Sequence, residues 1–204
     1  MTIAGAELCV LLGRRAEAPF AGRWALPGGV LRIDLDKTLE DAARRVIHER
    51  LQIELPYLRQ VRAVGGVSRD PRAPWGLSVI YRALVPMTSV DPKAGKRLEA
   101  LRWCAVDEPV EDEKLAFDHH DLIAQAESAL RDEIEALDLP FEFLPPEFTL
   151  GELQGLCEAM LGRRLDKSSF RRRLADRDLV EPVPGGRRIA ANRPAQLYRR
   201  KAAR

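Results

Sequence analysis

The hydrophobic positions of this chain fall into short blocks whose period changes from one block to the next. Glu7–Leu12 reads as a short apolar strand, followed by a turn-rich stretch from Gly13 to Gly22. Trp24-Ala25-Leu26 then runs into Pro27-Gly28-Gly29, a strong chain break. Leu39, Ala42, Ala43, Val46 and Ile47 repeat at helical spacing behind Thr38, a good N-cap, which predicts a helix over Leu39–Leu51. Val61–Val67 and Gly76–Val85 read as strands around an Arg69-Asp70-Pro71-Arg72 turn. A loop over Asp91–Gly95 precedes another strand at Ala100–Val106. From Asp118 to Leu137 the helical period returns, with Leu122, Ile123, Ala126, Leu130 and Ile134 on one face. This mixed order predicts an α/β (α+β) layered domain.

A different pattern follows. Leu139–Phe148 carries Pro140, Pro145 and Pro146 and reads as a linker or domain boundary. Thr149 and Glu152 stand at capping-box spacing ahead of a stripe of Leu150, Leu153, Leu156, Cys157 and Met160, with Gly162 as the stop. A second helix, Lys167–Asp176, turns Phe170 and Leu174 inward and surrounds them with Arg171, Arg172 and Arg173. Leu179–Val183, a Pro184-Gly185-Gly186 turn and Arg187–Ala190 read as a β-hairpin. Helix, turn, basic helix and hairpin make a winged helix-turn-helix. The expected division is 1–138 for a ligand-sensing and dimerisation domain with its linker helix, and 139–204 for a DNA-binding domain.

Charge sharpens that division. Residues 145–204 hold 14 Lys/Arg against 7 Asp/Glu, whereas residues 1–144 hold 19 against 24. A basic module on an acidic body suits a binder of phosphate backbones. The three cysteines, Cys9, Cys104 and Cys157, have neither disulfide parity nor metal-ligand spacing and read as packed thiols. No apolar stretch has membrane length and no export signal is visible, so the cytoplasm is the expected compartment.

Gly22-Arg23-Trp24-Ala25-Leu26-Pro27-Gly28-Gly29, followed by Leu39-Glu40-Asp41-Ala42-Ala43-Arg44-Arg45, resembles the Nudix hydrolase family. Its signature, G-x5-E-x7-R-E-U-x-E-E-x-G-U, sets glutamates on one helix face, where they hold divalent metals against a diphosphate. Anchored on Arg45 and Ile53, with two extra residues after Gly29, the first glutamate position falls on Lys37 and the next on Val46. The paired glutamates fall on Glu49 and Arg50, and the glycine on Gln52. One carboxylate of four survives, Arg50 sets a cation where Mg²⁺ belongs, and Asp34 and Asp36 are candidate stray carboxylates. The frame is expected to persist for packing, with no catalytic residue, no metal site and no enzyme activity.

Three further runs narrow the resemblance: Leu115-Ala116-Phe117-Asp118-His119; Phe148-Thr149-Leu150 with Glu152-Leu153-Gln154; and Phe170-Arg171-Arg172 with Arg193-Pro194-Ala195 and Leu197-Tyr198-Arg199. With the eroded box they are similar to the NrtR family, the Nudix-related transcriptional regulators of NAD metabolism. The resemblance implies a Nudix-fold domain followed by a winged helix-turn-helix, in a homodimer that reads double-stranded palindromic operator DNA. It implies repression of NAD synthesis or salvage genes and an effector, ADP-ribose or NAD, rather than a cofactor. It also places a strand before Glu7, for which only Met1–Gly5 are available here.

Arginine binds phosphate bidentately, so Arg14, Arg15, Arg32, Arg69 and Arg72 are the candidate effector contacts, with Trp24 or Trp75 to stack on a base. Lys167, Ser168 and Ser169 open the reading helix, Arg171 and Arg172 face bases or phosphates, and Arg187 and Arg188 belong to the wing. Arg173 and Arg177 read as surface charge and Tyr198 as packing. His119 and His120 are adjacent on a helix and point apart, so one of them caps or packs. Three rivals stay open: a Nudix hydrolase of ADP-ribose-like nucleoside diphosphates, a regulator answering to a sugar phosphate or phosphoribosyl pyrophosphate, and a non-specific RNA-binding or scaffold protein.

Overall fold

The apolar run after Glu7 is buried without alternation from Leu8 to Gly13. A strand covered on both faces has no polar side to show. The computed structural model, which describes residues 1–55, 57–107, 115–190 and 193–201, sets this run at the centre of a four-stranded sheet. In chain order the first unit, Met1–Ala129, holds β1 (Thr2–Ala4), β2 (Glu7–Arg15), β3 (Trp24–Ala25), α1 (Leu39–Leu51), β4 (Arg59–Asp70), β5 (Ala73–Arg82), β6 (Leu98–Ala105) and the start of α2 (His119–Glu135). β6 pairs with β2 from Cys9 to Arg15, while β1 and β3 pair with its two ends, Thr2 opposite Cys9 and Ala25 opposite Gly13. The few residues before Glu7 thus supply a short strand. β4 and β5 form a separate antiparallel hairpin that pairs as far as Asp70 and Ala73, so the expected four-residue turn contracts to Pro71-Arg72.

α1 has the predicted bounds because both its ends are specified locally. Thr38 Oγ1 accepts the Asp41 N–H at 3.1 Å and Asp41 Oδ2 accepts the Thr38 N–H at 3.0 Å. Its far end closes on Gln52 in the left-handed region, φ 55°. Gly95 fixes what lies beside that end: a Cβ there would stand 2.3 Å from the Glu49 carbonyl. Only glycine lets the loop run this close, and Lys93, Gly95 and Lys96 donate their N–H groups to the carbonyls of Leu51, Arg50 and Glu49.

The second unit, Leu130–Arg204, holds the end of α2, β7 (Phe148–Thr149), α3 (Leu150–Leu161), α4 (Lys167–Asp176), β8 (Val180–Ala190) and β9 (Arg193–Arg200). The sheet order is β7-β9-β8. Leu130, Ile134, Phe148, Leu153, Cys157, Met160, Phe170 and Leu174 form its core. The reading of Leu139–Phe148 as a linker is corrected. Leu139 and Pro140 are buried, Phe141–Phe143 makes one 3₁₀ turn, and fully buried Phe148 pairs with Tyr198.

The hairpin reading is corrected as well. Pro184-Gly185-Gly186 does not reverse the chain. It is a bulge inside β8, where the register jumps from Pro182 opposite Tyr198 to Arg187 opposite Gln196. Gly185 takes φ 69°, and Gln196 Nε2 donates to the Val183 carbonyl at 2.8 Å. The Pro-Gly-Gly signal is local, and a bulge satisfies it as well as a turn does. β8 and β9 stay paired out to Ala190 opposite Arg193. Among the described residues no helix is long and apolar enough to cross a membrane.

Candidate functional site

An open cavity of about 610 Å³ lies in the first unit, lined by Phe20, Ser68, Arg69, Asp70, Pro71, Arg72, Ala73, Pro74, Phe117 and Asp118. Phe20 and Phe117 meet edge to face at 4.9 Å, and the Arg15 guanidinium lies 5.0 Å from the Phe117 ring centre. Both phenylalanines occupy the left-handed region, at φ 63° and 57°. A bulky residue there costs about 1–3 kcal/mol and persists only where its surroundings hold it. Next to them, His119 Nδ1 accepts the Leu26 N–H at 2.9 Å, and Ala116 N–H donates to the Trp24 carbonyl at 2.8 Å. Burial pushes the His119 imidazole down to about 4, against the nearby Asp118 charge. It therefore stands neutral, with the proton on Nε2. His120 is exposed, 3.6 Å from the Asp121 carboxylate.

The predicted effector residues separate by place. Arg69 and Arg72 line the cavity, but each has a carboxylate partner: Arg69 meets Asp118 at 2.6 Å and also donates to the Val64 carbonyl and Ser78, while Arg72 meets Asp70 at 2.6 Å. Arg15 reaches the cavity through Phe117. Arg14, next in sequence, is exposed and donates to the Gly22 carbonyl at 3.1 Å, with Glu99 at 3.5 Å. Arg32 lies in the exposed loop before α1 with Asp34. Trp24 and Trp75 are absent from the lining. Sequence reasoning missed Phe20, Asp70 and the cavity roles of Phe117 and Asp118. The Leu115–His119 run was the one available pointer, and nothing in the chain announces left-handed phenylalanines.

The face of α1 that carries metal ligands in Nudix hydrolases is locked by arginines. Arg45 grips both oxygens of Asp36, at 2.7 and 2.8 Å, and lies 3.6 Å from Glu49. The Arg45 guanidinium beside it holds the Asp36 carboxyl at about 2. Arg50 donates to the carbonyls of Gly28 at 3.1 Å and Lys96 at 2.8 Å. Among the described residues, no three of His, Cys, Asp and Glu stand close enough together to share an ion.

In the second unit Asp166 caps α4, accepting the Ser169 N–H at 2.8 Å. Phe170 and Leu174 are buried, which leaves Lys167, Ser168, Arg171 and Arg172 exposed along one side. Arg173 is instead spent on the Glu135 carbonyl, and Arg163 meets the Glu135 carboxylate at 2.5 Å. On β8, Arg187 is exposed, whereas Arg188 donates to Glu152 at 2.5 Å and to the Glu147 carbonyl at 3.0 Å. Ile189 beside them is 90% exposed.

Residues 3–126 match the NUDIX domain family and residues 140–200 match the NrtR DNA-binding winged helix domain. The ADPR responsive transcriptional repressor NtrR of Acinetobacter baylyi is 39% identical over 193 residues, covering 95% of this chain and 76% of the relative. A Shewanella oneidensis NrtR crystal structure with a 27mer DNA superposes with a TM-score of 0.73 at 35% identity, covering 98% of this chain and 90% of that one. The Nudix domain of the same Shewanella protein, crystallised with ADP ribose, gives 0.58 at 35% identity over 63% of this chain and 82% of that one.

Proposed function

Because the chain belongs to the NrtR family of Nudix-related regulators, we propose that it is a transcriptional repressor whose operator affinity is set by ADP-ribose, with NAD the nearest alternative. The observation that carries this reading is the sorting of cations on the winged helix. Among the described residues, Lys167, Arg171, Arg172 and Arg187 are exposed and meet no carboxylate, while Arg173 and Arg188 are consumed within the unit. Unspent cations on a reading helix are what phosphates and guanine edges require. Met1–Ala129 form the sensor and Leu130–Arg204 the reader, a boundary nine residues before the expected 138/139, acting in the cytoplasm on genes of NAD synthesis or salvage.

The effector belongs in the Phe20–Phe117 cavity, which offers π faces for a base and guanidinium groups for a diphosphate. The sensor is not a hydrolase, because Asp36 and Glu49 are already engaged by cations and, among the described residues, no cluster of metal ligands stands ready to activate water. A single reading helix covers one half-site, so a homodimer reads a palindrome. The apolar outer face of β4–β5, where exposed Val67, Trp75 and Leu77 lie, is the surface we assign to the second copy. α2 starts at His119 beside the cavity and ends at Glu135, which the reader holds, and is the element we expect to carry the signal.

Gel shifts with palindromic DNA from the gene's own neighbourhood test this reading. Expected are two chains per duplex by light scattering, preference over scrambled DNA, and a tenfold to hundredfold affinity change with ADP-ribose, about 1.4–3 kcal/mol of coupling. Equal affinity for scrambled DNA, or Mg²⁺-dependent turnover of ADP-ribose above about 1 s⁻¹, overturns it.

A further inference from the structure

A Nudix frame implies a divalent cation between the helix carboxylates and the diphosphate. The residues present do not fit one. The Asp36 side chain is 2% exposed, takes Arg45 on both oxygens and accepts the Arg32 N–H at 2.8 Å, which leaves it little left to offer a metal. Glu49 stands between Arg45 at 3.6 Å and Lys96 at 3.8 Å. The next position, where the signature has a second glutamate, carries Arg50.

We propose that fixed guanidinium groups take over the work of the absent metal, so that Arg15, Arg50 and Arg72 hold the effector's diphosphate directly and the site binds it without a divalent ion. The inference rests on the reading of the cavity as an ADP-ribose site. Arg72 and Arg15 belong to the cavity, and Arg50 is tied to the loop that bonds the end of the Arg15 strand. Arg72 lines the cavity and Arg15 lies over Phe117, which lines it too. Ala16, next to Arg15, donates its N–H to the Arg97 carbonyl at 3.0 Å, and the adjoining Lys96 carbonyl receives Arg50. Burial first, then the charges of Arg72 and Arg50, make Arg15 easier to deprotonate than a free guanidinium, and burial followed by Arg97 does the same to Arg50. These cations repel one another, and a bound anion relieves that repulsion.

The charge balance agrees. Arg15, Arg45, Arg50, Arg72, Lys96 and Arg97 outnumber their carboxylates, Glu17, Asp36, Glu49 and Asp70, by two, while Asp34, which also acts on Arg45, is balanced by Arg32 at 3.3 Å. The diphosphate of a nucleoside diphosphate sugar carries two negative ones. A guanidinium clamps phosphate oxygens as a metal does but, unlike a metal, it generates no hydroxide, so binding survives where cleavage does not.

The test is calorimetry of the full-length protein with ADP-ribose, in excess EDTA and in millimolar MgCl₂. Affinity should agree within about twofold between the two buffers and fall as salt rises. Arg50→Gln should weaken binding about tenfold, alongside the fall in the thermal midpoint that losing its bonds to the Gly28 and Lys96 carbonyls brings. Binding in MgCl₂ that EDTA abolishes overturns this inference and leaves the effector reading standing. Absence of binding in both buffers overturns the two together. Undiminished affinity in Arg50→Gln removes Arg50 from the clamp. If that variant does not fold, the comparison of buffers on the native chain still decides the metal question.

Discussion

Through His119 alone, lowering the pH from 7 to 5 should cost the first unit about 2 kcal/mol of stability. Its Nδ1 accepts the Leu26 N–H, and burial holds the imidazole at about 4 in the folded chain. An unfolded histidine titrates near 6.5. The folded value is the lower one, so the contribution is whole above about 6.5 and is lost as the pH falls toward 4. At pH 5 the unfolded imidazole is almost wholly protonated and the folded one almost wholly neutral. One and a half pH units at about 1.4 kcal/mol each give the stated loss. Asp36 and Asp70, held at about 2 by Arg45 and Arg72, lose their contributions only below about 4 and stay outside this window. Trp24, Trp75 and Trp103 all lie in the first unit, so urea unfolding followed by tryptophan fluorescence reports that unit alone. His119→Gln keeps an acceptor for the Leu26 N–H without a titrating proton, and its loss between pH 7 and 5 should be smaller than that of the native chain by about 2 kcal/mol. Equal losses in the two proteins would refute the assignment.

Two further outcomes follow from single positions. Gln52 occupies the left-handed residue that closes α1, at φ 55°, where the Nudix signature has glycine. Gln52→Gly should raise the urea midpoint by the equivalent of about 0.5–1 kcal/mol, and no rise would mean that the 3.5 Å contact of Gln52 with the Ala94 carbonyl compensates. On the reader, Arg171→Ala should relax base preference at one operator position by about 1–3 kcal/mol. Arg187→Ala should instead weaken all sequences alike and lower the salt slope of binding by about one, both read by competition gel shifts at several salt concentrations.

Much of the fold was legible because its signals are local. Capping at Thr38 and Thr149, the Gly162 stop and the apolar stripes set α1 and α3 within a residue. What failed were signals with two physical outcomes. Pro184-Gly185-Gly186 announces an interruption, and only pairing with β9 decides that it becomes a bulge. The prolines around Phe148 announce a linker, while the burial of Phe148 beneath β9 is a tertiary fact. The cavity was the least legible part. An arginine count along the chain separates neither Arg14 from Arg15, which leave the strand on opposite sides, nor an unspent guanidinium from one already tied to Asp118.

On the reading proposed above, in which the sensor binds its ligand without cutting it, the ligand helix is kept because the positions that differ from the signature now serve the frame. Val46 stands where the signature has glutamate, and it is 8% exposed, with its Cγ2 only 2.6 Å from where a Cβ on Gly29 would be. That position now serves the core, and a carboxylate restored there would be buried with no metal to meet it, at a cost of several kcal/mol. Arg50 likewise cannot revert freely, because its two carbonyl bonds pin the Gly28 and Lys96 backbones on either side of α1. Two of the three lost positions, Val46 and Arg50, have been absorbed into packing and into the hydrogen bonding of the frame, while Lys37 is exposed. On that reading, restoring a glutamate at Val46 or at Arg50 would cost stability at each step, whereas the proposed cationic diphosphate clamp requires neither change.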